Sequence, residues 1–109
     1  MYGLKTSDIE RIKSVFANYS EIDKVILYGS RAKGNYQNSS DIDLSIVGDI
    51  DLDKILKIET ILDDLLLPYH IDLCVLKKIE NSDLLDHINR VGVVFYKNSI
   101  KEFQLTNPF

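Results

Sequence analysis

The sequence predicts an α/β (α+β) fold with one mixed β-sheet and helices packed on it. Two observations carry that expectation: short apolar runs of strand length at 25–28, 41–47, 69–76 and 92–96, and stretches of helical periodicity between them. At 109 residues and 45% hydrophobic content, the chain has the size and composition of one domain, 1–109, folded around a real core.

The elements follow in order. Ser7 with Glu10 three residues later reads as a capping box, and Ile9, Ile12, Val15, Phe16 and Tyr19 then recur at helical spacing, which predicts a first helix over 8–19. Val25-Ile26-Leu27-Tyr28 is a buried strand ended by Gly29, and Arg31-Ala32-Lys33-Gly34 is a single helical turn. The polar stretch NYQNSS is a loop that leads to a strand over 41–47. Beyond it Asp51 caps the longest helix, where Leu52, Ile55, Leu56, Glu59, Ile61, Leu62, Leu65 and Leu66 fall at mostly helical intervals before Pro68. A strand over 69–76, an amphipathic helix over 82–91 and a strand over 92–96 complete the series, and the segment KNSIKEFQLTNPF either docks or stays free.

Charge and composition exclude several function classes. A net charge of −4 and a pI near 5.0 argue against extensive phosphate-neutralising contact with nucleic acid. No apolar stretch approaches the ~20 residues that span a bilayer, and MYGLKTSDIE lacks the layout of a signal peptide, so a cytoplasmic protein without a membrane partner is expected. The single cysteine, Cys74 in IDLCVL, reads as strand core.

The informative anomaly is carboxylate inside strands. Side chains alternate along a strand, so Asp41 and Asp43 share one face while Ile42 and Leu44 take the other. Asp72 interrupts the run from Ile71 to Leu76 in the same way, and it joins the pair if the third strand neighbours the second. Three such acids repel by roughly 3 kcal/mol per pair at about 5 Å and an effective dielectric near 20. A divalent cation is the simplest counter-ion, Mg²⁺ or Mn²⁺ being suited to a few carboxylates plus water and phosphate oxygens. Asp49, Asp51 and Asp53 read instead as a loop and a helix start where acids suit the helix dipole. Ahead of the carboxylates, Gly29-Ser30 offers backbone amides and a hydroxyl to an anion, with Arg31 and Lys33 adding positive charge. The G-x-x-x-x-G-K-[ST] pattern of a P-loop is absent.

A strand, Gly-Ser, ten residues, Asp-x-Asp on a strand and a later strand Asp together resemble the nucleotidyltransferase superfamily that includes DNA polymerase beta. The GSRAKG wording and small size look more closely like the minimal nucleotidyltransferases (MNT), the antitoxin half of HEPN/MNT toxin–antitoxin modules. Their usual wording has Arg at the position of Lys33, which keeps the charge here but loses a bidentate fork. The resemblance covers about 25–76 and implies the nucleotidyltransferase fold. It implies two metals on Asp41 and Asp43, with Asp72 completing one of them and helping to deprotonate an acceptor hydroxyl. Ser30 and the backbone from Gly29 to Arg31 would grip the β- and γ-phosphates of a nucleoside triphosphate.

The length leaves no room for an acceptor-binding domain, so the acceptor is expected on another molecule. By the resemblance that molecule is a HEPN toxin, modified by transfer of AMP from ATP to a tyrosine hydroxyl, in a hetero-oligomer or beside a homodimer. Two alternatives stand: a non-catalytic nucleotide-binding antitoxin that inhibits by complex formation, and a two-subunit nucleotidyltransferase acting on a small molecule or an RNA end. Elsewhere, His70 reads as a surface or packing residue, His87 as a helix-face residue, Tyr28 as packing and Tyr36 as solvent-exposed.

Overall fold

A computed structural model describes residues 1–100; the stretch 101–109, which holds most of the tail segment, lies outside the described residues. The chain forms α1 (Thr6–Phe16), β1 (Ile22–Tyr28), α2 (Gly29–Lys33), β2 (Ile42–Gly48), α3 (Leu52–Asp64), β3 (Ile71–Val75), α4 (Ser82–Val91) and β4 (Val93–Lys97), with a 3-10 turn at Leu76–Lys78. The strands make one mixed sheet in the order β3-β2-β1-β4. Strand β2 runs parallel to β3, and β1 is antiparallel to both its neighbours. A parallel pair needs a crossover connection, and α3 supplies it. The expected α/β architecture with a mixed sheet therefore holds.

The alternation of side chains gives the sheet two unlike faces. On one, Val25, Leu27, Ile42, Leu44 and Ile46 are completely buried and pack with Ile12 and Phe16 of α1 and Ile55, Ile58 and Leu62 of α3. Each such side chain contributes about 1.5–3 kcal/mol by leaving water. The other face carries Ile26 and Tyr28 of β1, Asp43 and Ser45 of β2, and Asp72 and Cys74 of β3, as the register requires. Helix α4 lies on this second face: Gly92, at its end, sits so close that an added Cβ would be 2.7 Å from Ile26 Cγ2. The aspartates thus interrupt the strands without entering the main core.

Several boundaries differ from the sequence reading. Helix α1 begins at Thr6 behind Lys5, which makes no side-chain cap, so Ser7 lies inside the helix and the capping box is not formed. Buried Leu4, immediately upstream, docks the chain and sets the start of the helix by tertiary packing instead. The helix also ends at Phe16, leaving Tyr19 in the following turn, where it still packs against the core. In α3 the Asp51 cap forms, its carboxylate accepting from the Lys54 amide at 2.9 Å. The helix ends at Asp64, earlier than expected, and its buried stripe is narrower than the periodicity suggested: Ile55, Ile58 and Leu62 face inward, Leu52, Leu56 and Ile61 are exposed, and Leu66 lies exposed beyond the helix end. Strand β1 starts three residues earlier than expected, at Ile22, and β3 is shorter, at Ile71–Val75. Helix α4 keeps its predicted limits, with Asn81 as cap for the amides of Asp83 and Leu84. Among the described residues no helix is long and apolar enough to cross a membrane.

Candidate active site

The site is built where β1 ends, β2 begins and β3 runs alongside. Antiparallel pairing sets Tyr28 opposite Asp43, and parallel pairing sets Asp43 beside Asp72, so the three side chains form a row across the polar face. Asp43 is half-buried, whereas Asp72 on the edge strand and Asp41, one residue ahead of β2, are exposed. The next row behind is Ile26, Ser45 and Cys74, and Ser45 is completely buried. Tyr28 is buried, and its hydroxyl shares a 3.4 Å hydrogen bond with Cys74 Sγ. Cys74 is only partly buried and faces this site, not the main core.

The row is electrostatically unhappy. Burial pushes the Asp43 carboxyl above its ordinary 3.8, and the neighbouring charges of Asp72 and Asp41 push the same way. The Tyr28 phenol is raised as well, first by burial and then by its Cys74 bond and the charges of Cys74, Asp72 and Asp43, so it stays a neutral hydroxyl. No cation of the chain bonds to Asp43 or Asp72 among the described ion pairs. Clustered carboxylates that destabilise one another fit a divalent cation. No group of three His, Cys, Asp or Glu side chains forms a ready-made metal cage among the described residues. The donors therefore suit Mg²⁺ or Mn²⁺ held by one or two carboxylates and completed by water and phosphate oxygens, a lighter grip than three carboxylates together.

The Gly29–Ser30 turn abuts this row. Gly29 has φ of 73°, a conformation that side chains disfavour, and a Cβ there would collide with Asp43 Oδ2. Glycine is thus needed both for the turn and for the approach of its backbone to the carboxylate. Helix α2 starts on Gly29 and closes at Gly34, whose φ of 93° ends the helix in the left-handed region. Ser30 is half-buried, and Lys33 is exposed at the helix end.

Arg31 departs from the sequence expectation. Its side chain is 1% exposed, and its guanidinium donates from Nε to Ser40 O at 3.1 Å, from Nη1 to Tyr2 O at 2.9 Å, and from Nη2 to Asn38 O and Ser40 O at 3.3 and 3.0 Å. The rings of Tyr36 and Tyr69 lie 5.3 and 5.0 Å from its Cζ. The guanidinium is occupied with carbonyls and rings, so it is not presented to a phosphate; only the Arg31 backbone remains at the turn. Tyr36 is accordingly packed on this cation and is not simply solvated.

Two further residues reach the site. The His87 imidazole accepts the Gly29 amide hydrogen at Nε2, 3.1 Å away, and its ring meets Tyr28 edge-on with centroids 6.2 Å apart. The helical pattern contained a signal for this, because His87 lies three residues after Leu84 and four before Val91, on the inward side of α4. His70 is exposed and lines a cleft of about 180 Å³ with Glu59, Leu62, Asp63, Ile71, Asp72 and Leu73. That volume is below the roughly 300–1,000 Å³ of small-molecule pockets.

Replacing Arg31 by Met strands three carbonyls that each cost about 1–3 kcal/mol when unpaired, so chemical unfolding should show a loss above about 2 kcal/mol. Lys33→Gln should stay within about 0.5 kcal/mol of the parent in the same assay. For Asp43 the raised folded pKa favours folding below the unfolded value of 3.8, and that contribution is lost as pH rises through the folded value. Thermal melts of Asp43→Asn in chelator should therefore run above wild type at pH 7, with the gain shrinking as pH falls towards 3.8; a lower Tm at pH 7 would contradict the electrostatic account.

Comparison with known proteins agrees with this geometry. The family model described as polymerase beta, nucleotidyltransferase matches residues 10–101. A protein of Methanocaldococcus jannaschii, MJ0604, named as an inferred protein adenylyltransferase, is 36% identical over 81 residues, 74% of either chain. Among solved structures, a chain of a toxin–antitoxin crystal structure with AMP-PNP superposes with a TM-score of 0.65 at 21% identity, over 90% of this chain and 77% of that one. A chain from the complex of an MNT antitoxin with the tri-AMPylated HEPN toxin of Shewanella oneidensis gives 0.64 at 16% identity, over 91% and 77%. These likenesses establish the nucleotidyltransferase fold.

Proposed function

The chain belongs to the polymerase beta nucleotidyltransferase family, and on that premise we propose that it transfers AMP from ATP to a tyrosine hydroxyl of a HEPN toxin, acting as the antitoxin of a two-protein module. The observation that carries the reading is the in-register Asp43–Asp72 pair lying against the Gly29–Ser30 turn. The name of the Methanocaldococcus jannaschii relative supports protein adenylylation, and the toxin–antitoxin structures that share the fold support the kind of partner.

In this reading the acceptor oxygen attacks the α-phosphorus of ATP. The bond from that phosphorus to the bridging oxygen breaks, and pyrophosphate leaves in line with the new P–O bond. Asp72 stands on the edge strand and is exposed, so a hydroxyl carried by another protein can reach it and give up its proton there. The Ser30 hydroxyl and the backbone amides of Ser30 and Arg31 hold the β- and γ-phosphates, the Gly29 amide being taken by His87, and Lys33 adds positive charge from the solvent side. Asp43 and Asp72, with Asp41 at the rim, would hold Mg²⁺ or Mn²⁺. Such an ion supplies charge neutralisation for the triphosphate and for the oxygens that attack and leave. Residues 1–109 would form one minimal nucleotidyltransferase domain, the toxin bringing the acceptor.

Intact-mass spectrometry tests the proposal. A HEPN toxin, sought first in the gene neighbouring this one, should gain one or more AMP masses when incubated with this chain, ATP and Mg²⁺, and the Asp41→Asn/Asp43→Asn double variant should give none. Equal labelling by that double variant would remove the carboxylates from the mechanism. Stable complex formation without labelling by the wild-type chain would replace catalysis by simple binding.

A further inference from the structure

We propose that His87 is a positioning residue for the phosphate-binding turn: its Nε2 takes the Gly29 amide hydrogen and so fixes the Gly29–Ser30 backbone against the carboxylate row. The proposal rests on the nucleotidyltransferase reading of that turn, and it adds α4 to the machinery that holds it.

Gly29 is constrained from three directions. Its α-carbon stands where any side chain would strike Asp43 Oδ2. The preceding residue, Tyr28, is buried and held at its hydroxyl by Cys74. The amide itself points to His87, 58 residues further along the chain, at 3.1 Å. Because Nε2 accepts, it carries no proton in this arrangement, and the ring is neutral with its hydrogen on Nδ1. The ring also packs edge-on to Tyr28, interplanar angle 79°, so one side chain contacts two consecutive residues of the turn. Satisfying the Gly29 amide internally leaves the Ser30 hydroxyl and the following amides for a ligand. It also sets where they point relative to Asp43, since an unanchored glycine has the widest choice of backbone conformations.

A packing role and an anchoring role can be separated by two substitutions. His87→Phe keeps a ring against Tyr28 and removes the acceptor. His87→Gln removes the ring and keeps an acceptor near the position of Nε2. Two readouts apply to the full chain: hydrogen exchange of the Gly29 amide by NMR, and calorimetric affinity for ATP with Mg²⁺. Anchoring predicts that the phenylalanine variant exchanges this amide about tenfold faster and binds ATP roughly three- to tenfold more weakly, the worth of one hydrogen bond. The glutamine variant should remain within about twofold of wild type in both, on the same hydrogen-bond scale. The opposite pattern, or a phenylalanine variant equal to wild type, would overturn the proposal. Should the phenylalanine variant fail to fold, the glutamine variant decides alone: wild-type protection and affinity support anchoring, and their loss refutes it. Absence of ATP binding by the wild-type chain would overturn the nucleotide reading and this role together, while Gly29 exchange would still show separately whether His87 holds the amide.

Discussion

The buried guanidinium of Arg31 is the constraint on which the site's geometry depends. A cation taken out of water is costly unless its donors are met, and here they are met by carbonyls from the N-terminal turn and from the loop before β2, with two tyrosine rings alongside. Tyr2, Asn38, Ser40 and Tyr69 belong to segments distant in sequence, and one side chain gathers them. Ser40 directly precedes Asp41, and Tyr69 stands three residues before Asp72. Fixing both therefore bears on the register in which β2 and β3 enter the sheet. The Ile42 amide donating to His70 O at 2.9 Å extends that alignment to the strands themselves.

From that register comes a division between the two faces of the sheet. One face supplies cohesion, with β-branched and leucine side chains closed over by α1 and α3. The other carries groups that oppose folding slightly in isolation: crowded carboxylates and a glycine in a turn that no side chain could occupy. A well-packed first face offsets the tension on the second, which is the usual relation between a fold and a site designed to receive charge. Helix α4 covers only part of the polar face, through Gly92 on Ile26 and His87 on the turn, and leaves the edge at β3 open.

How far the sequence discloses this depends on whether a signal is local. That Asp43 and Asp72 each interrupt an apolar strand was legible because strand periodicity is two; that they lie side by side depended on β3 neighbouring β2, which only the sheet order supplies. Asp51 as a cap and the limits of α4 were legible for the same reason, each resting on a pattern within one turn of helix. Arg31 was not, because an arginine in a polar turn looks the same whether it faces a phosphate or fills the interior; the carbonyls that claim it lie up to 29 residues away. The start of α1 was missed likewise, since docking of Leu4 outweighed the Ser7 capping signal. His87 stood on the inward side of its helix, yet only the tertiary fold shows what that side meets.

The central claim is that the carboxylate row and the Gly29–Ser30 turn form one site for a metal-bound triphosphate. The most direct measurement is a crystal structure of the chain with Mn²⁺ and a non-hydrolysable ATP analogue, using anomalous scattering to locate the metal. The account predicts a manganese peak at Asp43 and Asp72, with the β- and γ-phosphates against the Gly29–Ser30 backbone and the Arg31 guanidinium still on its carbonyls. Manganese elsewhere, or phosphates drawn to a side chain of Arg31 turned out of the interior, would contradict it.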